Sequence, residues 1–171
     1  MDINDLNILI KYLDTLSIKD YKKKFTFLGE GIARKVFALN KNLVVKVAKD
    51  EDGLHQNFVE SYIYNNTPLN LKRYLCPVLI YKKNFLIMPR AEKLLNIRRA
   101  SFVKLDELRD ENTVYEDIAN LSEKFLLFKE DLYVHSSWGF LNDNYYLIDY
   151  GCTSEKGDLY YDFIMRLNGL L

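Results

Sequence analysis

The sequence predicts an α+β domain in which antiparallel strands form the sheet. Three runs of alternating apolar and polar residues follow one another over 25–48, separated by a glycine turn and a polar turn, which is typical of an antiparallel meander. Two further strand pairs with short polar turns are predicted over 77–88 and 138–148. Apolar residues at helical spacing predict four helices, over 2–16, 54–65, 113–130 and 158–170.

The composition favours one folded domain that spans residues 1–171. Hydrophobic residues make up 49% of the chain and aromatic residues 14%, which is enough apolar surface for a core and argues against disorder. Basic and acidic residues balance at 24 each. The chain therefore has no excess of charge that would favour nucleic acid or an anionic membrane as a partner.

The sequence shows no pattern of a targeting signal or of a zinc site. Asp2, Asp5 and Lys11 interrupt the apolar residues near the N-terminus, and no apolar run approaches the roughly 20 residues that span a bilayer. Cys76 and Cys152 have no metal-ligand spacing, and the chain has only two histidines. We therefore expect a cytoplasmic protein with reduced cysteines and no membrane segment.

The predicted helices are expected to bury their apolar residues. Thr113 and Glu116 fit a capping box, and the apolar face of the helix that they begin extends to Phe128. The first helix is expected to cover another element. The last helix is expected to turn four apolar side chains inward, namely Leu159, Phe163, Ile164 and Leu167.

Four separated features carry the candidate chemistry, and three of them lie in the first half of the chain. Gly29 and Gly31 lie between two predicted strands, where backbone amides could approach phosphate oxygens, although the same pattern also makes ordinary hairpin turns. Lys46 stands inside an apolar strand, so it must either extend to solvent or meet an anion. Glu60 lies in the middle of the next helix, where it is either solvated or paired with Lys46.

The fourth feature is Asp149, which follows an apolar strand and precedes Tyr150 and Gly151. The glycine is expected to let the backbone turn sharply after the carboxylate. A carboxylate in this position suits a hard cation such as Mg²⁺, and it also suits an ordinary Asx turn. The sequence pattern alone leaves both interpretations open.

The order of these features resembles the protein-kinase-like fold, and the resemblance covers about Phe25 to Gly151. The stretch LGEGIARKVF resembles the glycine-rich loop, with Arg34 where the third glycine would stand. The stretches LVVKVAK and GLHQNFVESYIYN resemble the strand and the helix that carry a paired lysine and glutamate. FLIMPRAEK is similar to the strand that enters the hinge, and LIDYG is similar to the metal-binding D-F-G motif.

The resemblance implies a two-lobed fold with an antiparallel N-lobe sheet and a much reduced helical C-lobe. A helix over 1–20 would precede an N-lobe over 21–90 and a C-lobe over 91–171. ATP or another purine nucleotide would bind between the lobes together with Mg²⁺. The implied site residues are Lys46 and Glu60 as a catalytic ion pair, Gly29, Gly31 and Lys46 near the phosphates, Met88, Arg90 and Ala91 near the base, and Asp149 at the metal.

The catalytic loop departs from the kinase pattern. Alignment on the Trp138-Gly139 pair places Ser137 where a second metal ligand, normally asparagine, is expected, and a serine would be a weak ligand. The position of the catalytic aspartate falls on Leu132. Asp131 lies one residue further away, so it could serve only if the loop carries an extra residue. His135 is expected to be a hydrogen-bonded structural residue, and Trp138 a core residue.

The sequence leaves two functions open. A reduced phosphotransferase would use Asp131 as its base, whereas a pseudokinase would bind nucleotide and act as a protein-binding or regulatory module. Because few residues follow Gly151, the helix over 113–130 is expected to be covered by the first and last helices, by a homodimer or by a partner protein. Small kinase-like proteins of this kind are typical of bacteriophages and bacteria, so a phage-encoded protein would meet its partner in the host cytoplasm.

Overall fold

A computed structural model describes residues 3–94 and 102–170 and gives them an α+β fold. These residues form a five-stranded antiparallel sheet, a separate three-stranded antiparallel sheet and seven α-helices. The predicted class and the predicted antiparallel sheet are confirmed. Across the described residues, no helix is both long enough and apolar enough to cross a bilayer.

The first sheet contains the predicted meander and the first predicted hairpin. Its strands are β1 (Thr26–Glu30), β2 (Arg34–Ala38), β3 (Leu43–Ala48), β4 (Ile80–Lys82) and β5 (Phe85–Pro89). Their order across the sheet is β1-β2-β3-β5-β4, so β3 lies at the centre. Pro89 is the last residue of β5, where the missing N–H of proline does not interrupt the interior of the ladder.

Two helices cover one face of this sheet, α1 (Ile3–Asp14) and α2 (Ile18–Lys24). The sequence predicts α1 but not α2, which begins at a capping box formed by Ser17 and Asp20. Tyr21 of α2 stacks on Phe37 of β2, and its hydroxyl donates to the carbonyl of Leu13. The first helix thus packs on the outer face of the sheet, and its expected packing on the helix over 113–130 is wrong.

The opposite face of the sheet packs against α3 (Glu51–Asn66). The helix begins three residues earlier than predicted because the Asp50 carboxylate accepts a hydrogen bond from the Gly53 N–H and caps it. A Cβ on Gly53 would lie 2.8 Å from the Ala48 Cα and would also collide with the Ala33 carbonyl oxygen. The start of α3 therefore lies directly on the backbone of the sheet.

The remaining described residues form the second sheet and four helices, two of them a single turn long. The elements are α4 (Leu69–Lys72), β6 (Glu92–Lys93), α5 (Leu105–Leu108), α6 (Val114–Phe125), β7 (Trp138–Leu141), β8 (Asn144–Leu147) and α7 (Glu155–Leu167). Two short 3-10 turns, Lys129–Tyr133 and His135–Ser137, join α6 to β7. The sheet has the order β6-β7-β8.

The predicted hairpin over 138–148 is present as β7 and β8. Its turn residues Asn142 and Asp143 have φ values of 48° and 62°, which match a two-residue turn that asparagine and aspartate tolerate. Trp138 is fully buried, and its indole N–H donates to the Leu132 carbonyl at 2.8 Å. The prediction that Trp138 is a core residue is confirmed.

The helix predicted over 113–130 is shorter than expected. Leu126 adopts a left-handed conformation with φ 53° and ends α6, and the Leu127 N–H turns back to the Ser122 carbonyl. Phe128 consequently lies outside the helix and is 44% exposed, so its predicted place on the apolar face is wrong.

The last helix is rotated relative to the prediction. Gly157 packs so closely on α6 that a Cβ would lie 2.5 Å from the Leu126 carbonyl oxygen, and this contact turns Tyr161 and Met165 inward. Ile164 is partly buried, as expected. Leu159, Phe163 and Leu167 are 58–75% exposed, so their predicted burial is wrong.

Gly53→Ala should destabilise the protein because the new methyl group must displace the β2–β3 backbone. We expect a loss of about 2 kcal/mol in the free energy of unfolding, a typical cost of overpacking. Chemical denaturation checks this value. Gly31→Ala is the matched control because no atom lies within 4 Å of its added Cβ. Equal stability of the two variants would contradict the close packing of α3 on the sheet.

Candidate functional site

The register of the first sheet places two cationic side chains on its inner face. Lys46 pairs with Val36 and Arg34 pairs with Ala48, and residues paired across antiparallel strands point to the same face. Their neighbours Val45 and Val47 point to the opposite face, where α1 and α2 cover them. Arg34 is 4% exposed and Lys46 6% exposed, so both cations need buried partners.

Glu60 of α3 supplies the first partner and is fully buried. Its Oε1 accepts from Lys46 Nζ at 2.9 Å and from the Tyr150 N–H at 2.9 Å, and its Oε2 accepts from Arg34 Nη1 at 2.7 Å. The Lys46–Glu60 ion pair that the sequence predicts is therefore present. Arg34 is an additional partner of this pair.

Asp149 supplies the second carboxylate and lies two residues after the end of β8. Its Oδ1 accepts from Arg34 Nη2 at 2.5 Å and lies 3.4 Å from Lys46 Nζ. Lys46 Nζ also donates to the Ile148 carbonyl at 2.5 Å. Glu60 and Asp149 each contact both cations, so these four groups (Arg34, Lys46, Glu60 and Asp149, here called the charge cluster) have no net formal charge.

The charge cluster shifts the pKa of Asp149 and the pKa of Arg34. The Asp149 side chain is 54% exposed, although the atoms around it are densely packed. This packing by itself would raise the pKa of Asp149, but Lys46 and Arg34 together lower it below the ordinary value of 3.8. For Arg34, burial favours the neutral form, but Glu60 and Asp149 outweigh it and raise the pKa. Asp149 is thus a carboxylate, and Arg34 a guanidinium, throughout the physiological range.

A cleft of about 350 Å³ lies beside the charge cluster, between the first sheet and the hairpin end at Asp149. Apolar side chains of β1, β2 and β3 form one wall, and Ile148 faces them from the other side. The lining residues are Leu28, Glu30, Gly31, Val36, Val44, Lys46, Cys76, Met88, Pro89, Arg90, Ala91, Glu92, Lys93, Ser136, Ile148 and Asp149. Burial raises the pKa of the Cys76 thiol to about 12, so the thiol is a neutral part of this wall.

The cleft brings together six of the predicted site residues. Gly31, Lys46, Met88, Arg90, Ala91 and Asp149 all line it. Glu60 lies behind Lys46 and contacts the cleft only through it. Gly29 does not line the cleft; it has φ 153°, and Lys93 Nζ lies 3.0 Å from the place of a Cβ. Of the two glycines in this turn, Gly31 therefore lines the cleft and Gly29 does not.

The two residues predicted for the catalytic loop lie outside the cleft. Ser137 is 5% exposed and its carbonyl accepts from the Ile148 N–H, whereas the neighbouring Ser136 lines the cleft in its place. Asp131 lies in the 3-10 turn Lys129–Tyr133 and does not line the cleft. Burial first, and then Asp131, raises the pKa of Cys152 to about 12.

His135 does not have the hydrogen bond that was expected for it. Its Nδ1 atom is buried and has no hydrogen-bond partner among the described residues. The 3-10 turn His135–Ser137 that contains it leads directly into β7. His135 therefore contributes to packing beside the cleft and does not line it.

Gly151 has a structural role that differs from the expected sharp turn. Its φ is not positive, but a Cβ would lie 2.7 Å from the Gln56 carbonyl oxygen of α3. The segment after Asp149 thus rests on the helix backbone at a distance that only glycine permits. This contact holds Tyr150 where its N–H reaches Glu60.

The donor set beside the cleft does not fit the Mg²⁺ that the kinase resemblance implies. Asp149 already accepts from two cations, and Ser137 is turned away from the cleft. Over residues 3–94 and 102–170, no group of three or more His, Cys, Asp or Glu side chains is placed to hold a metal ion. A nucleotide-bound Mg²⁺ takes most of its oxygen ligands from phosphates and water, so the misfit lies at Asp149, its candidate protein ligand, whose Oδ1 already pairs with Arg34 and Lys46.

Comparison with known proteins adds no family assignment. No protein-family model matches the sequence, and the search of curated proteins gives no significant match. The geometry of the cleft and of the charge cluster is therefore the evidence on function.

Arg34 is the site residue that sequence reasoning missed. Its position within the glycine-loop stretch suggested a replaced glycine, and its partners are far away in sequence, in α3 and after β8. The available signal was the strand register, because an arginine at the start of β2 shares the face of Lys46. A polar side chain on that face needed a buried acceptor.

Glu60→Gln should strongly destabilise the protein because it leaves Arg34 and Lys46 buried with a single carboxylate. We expect a loss of about 3 kcal/mol in the free energy of unfolding, as for other broken buried ion pairs. Glu107→Gln is the control, since the Lys104–Glu107 pair is exposed and surface pairs contribute less than about 1 kcal/mol. Similar losses of unfolding free energy in the two variants would show that the buried ion pairs of Glu60 stabilise the protein no more than an exposed pair does.

The lowered pKa of Asp149 predicts a pH-dependent contribution to stability. The contribution is present above the ordinary pKa of 3.8 and is lost as the pH falls through the lower folded-state value. Asp149→Asn should therefore be less stable than the wild type at pH 7. Denaturation at a series of pH values should show this difference shrinking below about pH 4. A stability difference that stays constant down to pH 2 would contradict a contribution from the ionised Asp149 carboxylate.

Proposed function

We propose that this protein binds a purine nucleotide in the cleft, and that its two sheets belong to the two lobes of a reduced protein-kinase-like fold. The observation that carries the proposal is the set of residues that one cavity gathers. The glycine turn, the strand lysine, the segment after β5 and the aspartate after β8 are far apart in sequence, yet all of them line the same 350 Å³ cleft. That volume lies in the range of about 300–1,000 Å³ that is usual for small-ligand sites.

The apolar part of the cleft suits a flat purine base. Leu28 and Val36 of the first sheet and Ile148 of the hairpin end all line the cavity, so a planar ring bound there would have apolar contacts. Met88 and Ala91 bound the cleft on the side where β5 continues into β6. A base buried there would gain the free energy of removing its faces from water.

The polar part of the cleft suits phosphate groups. Lys46 and Gly31 line the same cleft, and Lys49 Nζ donates to the Gly31 carbonyl at 3.0 Å, which holds this turn in place. Lys93 also lines the cleft, below the glycine turn. Phosphate oxygens would thus meet lysine ammonium groups and the backbone of a glycine turn.

The surroundings of Asp131 favour a binding or regulatory module over the reduced phosphotransferase. Phosphoryl transfer depends on a positioned base and on neutralised charge. The Asp131 carboxylate lies outside the cleft, and position 137 holds a serine in place of an asparagine or aspartate. We therefore propose a pseudokinase, with phosphotransfer weak or undetectable.

A nucleotide-binding module of this kind would act through a partner protein or a second copy of the chain. The exposed side chains of α7, Leu159, Phe163 and Leu167, give such a contact an apolar surface. A bacterial or bacteriophage source and a cytoplasmic location fit this proposal and stay predictions. The identity of the partner is a question for experiment.

Isothermal titration calorimetry with ATP, ADP and adenosine tests the proposed binding. We expect saturable heat for all three, with the nucleotides tighter than adenosine because Lys46 meets phosphate. Lys46→Ala should weaken ATP binding at least tenfold, and Val44→Phe, which fills the cleft, should weaken all three ligands. Lys24→Ala is the control, because Lys24 belongs to α2, which covers the opposite face of the first sheet, and does not line the cleft.

Two results would contradict the proposal. The first is a lack of heat with any purine ligand at millimolar concentration while the protein is folded by circular dichroism. The second is binding that Val44→Phe leaves unchanged, since the ligand would then occupy another surface. Rapid ATP turnover that is lost in Asp131→Ala would instead support the phosphotransferase hypothesis.

A further inference from the structure

Three side-chain acceptors fix the guanidinium of Arg34 beside Asp149, at the edge of the proposed nucleotide site. The guanidinium is held on three sides, by Glu60 Oε2 at 2.7 Å, by Asp149 Oδ1 at 2.5 Å and by Asn57 Oδ1 at 3.3 Å. Arg34 is 4% exposed, so it is a fixed part of the interior and not a surface side chain that happens to reach the cleft. Its charge is therefore permanently beside Asp149.

This arrangement leaves little place for a divalent cation on Asp149. The carboxylate already meets a guanidinium and, at 3.4 Å, an ammonium. The Asp149 side chain is 54% exposed and both of its ion pairs use Oδ1, so a cation on this carboxylate would lie within a few ångströms of two positive charges that repel it.

We propose that the site binds its nucleotide without a divalent metal ion, and that Arg34 is the residue responsible. The proposal rests on the proposed nucleotide binding. Arg34 neutralises Asp149, which would otherwise repel phosphate oxygens from the end of the cleft. Lys46 and Lys93 line the cleft and would meet the phosphate charge directly. The ligand class is thus the free nucleotide polyanion and not its Mg²⁺ complex.

Calorimetry with ATP in EDTA and in excess MgCl₂ tests the inference on the wild-type chain. We expect binding in EDTA, with an affinity that Mg²⁺ leaves within about threefold or lowers, because the metal competes for the phosphates. Arg34→Gln should lose at least tenfold in affinity in EDTA and should recover part of it with Mg²⁺, because Asp149 is then free for a metal. Arg34→Lys keeps the charge and should retain most of the binding in EDTA.

Asp149→Asn provides a second test that does not depend on the folding of an Arg34 variant. If Asp149 is a metal ligand, this change should abolish Mg²⁺-dependent binding. If Arg34 is its counter-ion, the change removes a negative charge and should raise the affinity for ATP in EDTA several-fold. Mn²⁺ titration followed by electron paramagnetic resonance, with ADP present, should show an additional bound ion in Arg34→Gln and none in the wild type.

The outcomes separate this inference from the proposed function. Wild-type binding that requires Mg²⁺ would overturn the role of Arg34 and leave nucleotide binding intact. An unaltered metal dependence in Arg34→Gln, with the variant folded, would also overturn it. A lack of binding in both EDTA and MgCl₂ would overturn the proposed function, and the inference would fall with it.

Discussion

The buried carboxylate of Glu60 is the group on which the arrangement of this protein depends. It belongs to α3, yet it accepts hydrogen bonds from β2, from β3 and from the backbone after β8, through Arg34, Lys46 and Tyr150. A fully buried anion is tolerated only when such donors surround it. One side chain therefore ties together the first sheet, the helix beneath it and the end of the second hairpin, and these parts cannot shift independently while the bonds persist.

The cleft follows from that constraint. Lys46 reaches the cavity wall because Glu60 and the Ile148 carbonyl fix its ammonium group. Asp149 faces the cavity because the next residues rest on α3, where Gly151 lies against the Gln56 carbonyl. Arg34 then balances the second carboxylate, so the cluster that shapes the cleft is already neutral before any ligand arrives. The same contacts thus serve stability and define the electrostatics of the candidate site.

Local patterns were sufficient to predict most strands and the core of the site. Alternation and turn residues predict β1 to β3 and both hairpins, and the order of lysine, glutamate and aspartate predicts the ion pair that the structure contains. Three features escaped prediction because contacts distant in sequence decide them. Arg34 is defined by partners in α3 and after β8, α6 ends where Leu126 turns left-handed, and the close approach of Gly157 to α6 rotates α7 away from the predicted apolar stripe.

A crystal structure of the protein with ATP in the presence of EDTA tests the central claim most directly. The predicted result is a purine ring between Val36 and Ile148, phosphates beside Lys46, and an Arg34–Asp149 ion pair that is unchanged. A nucleotide bound on another surface would contradict the claim. An empty cleft at saturating ATP would contradict it as well.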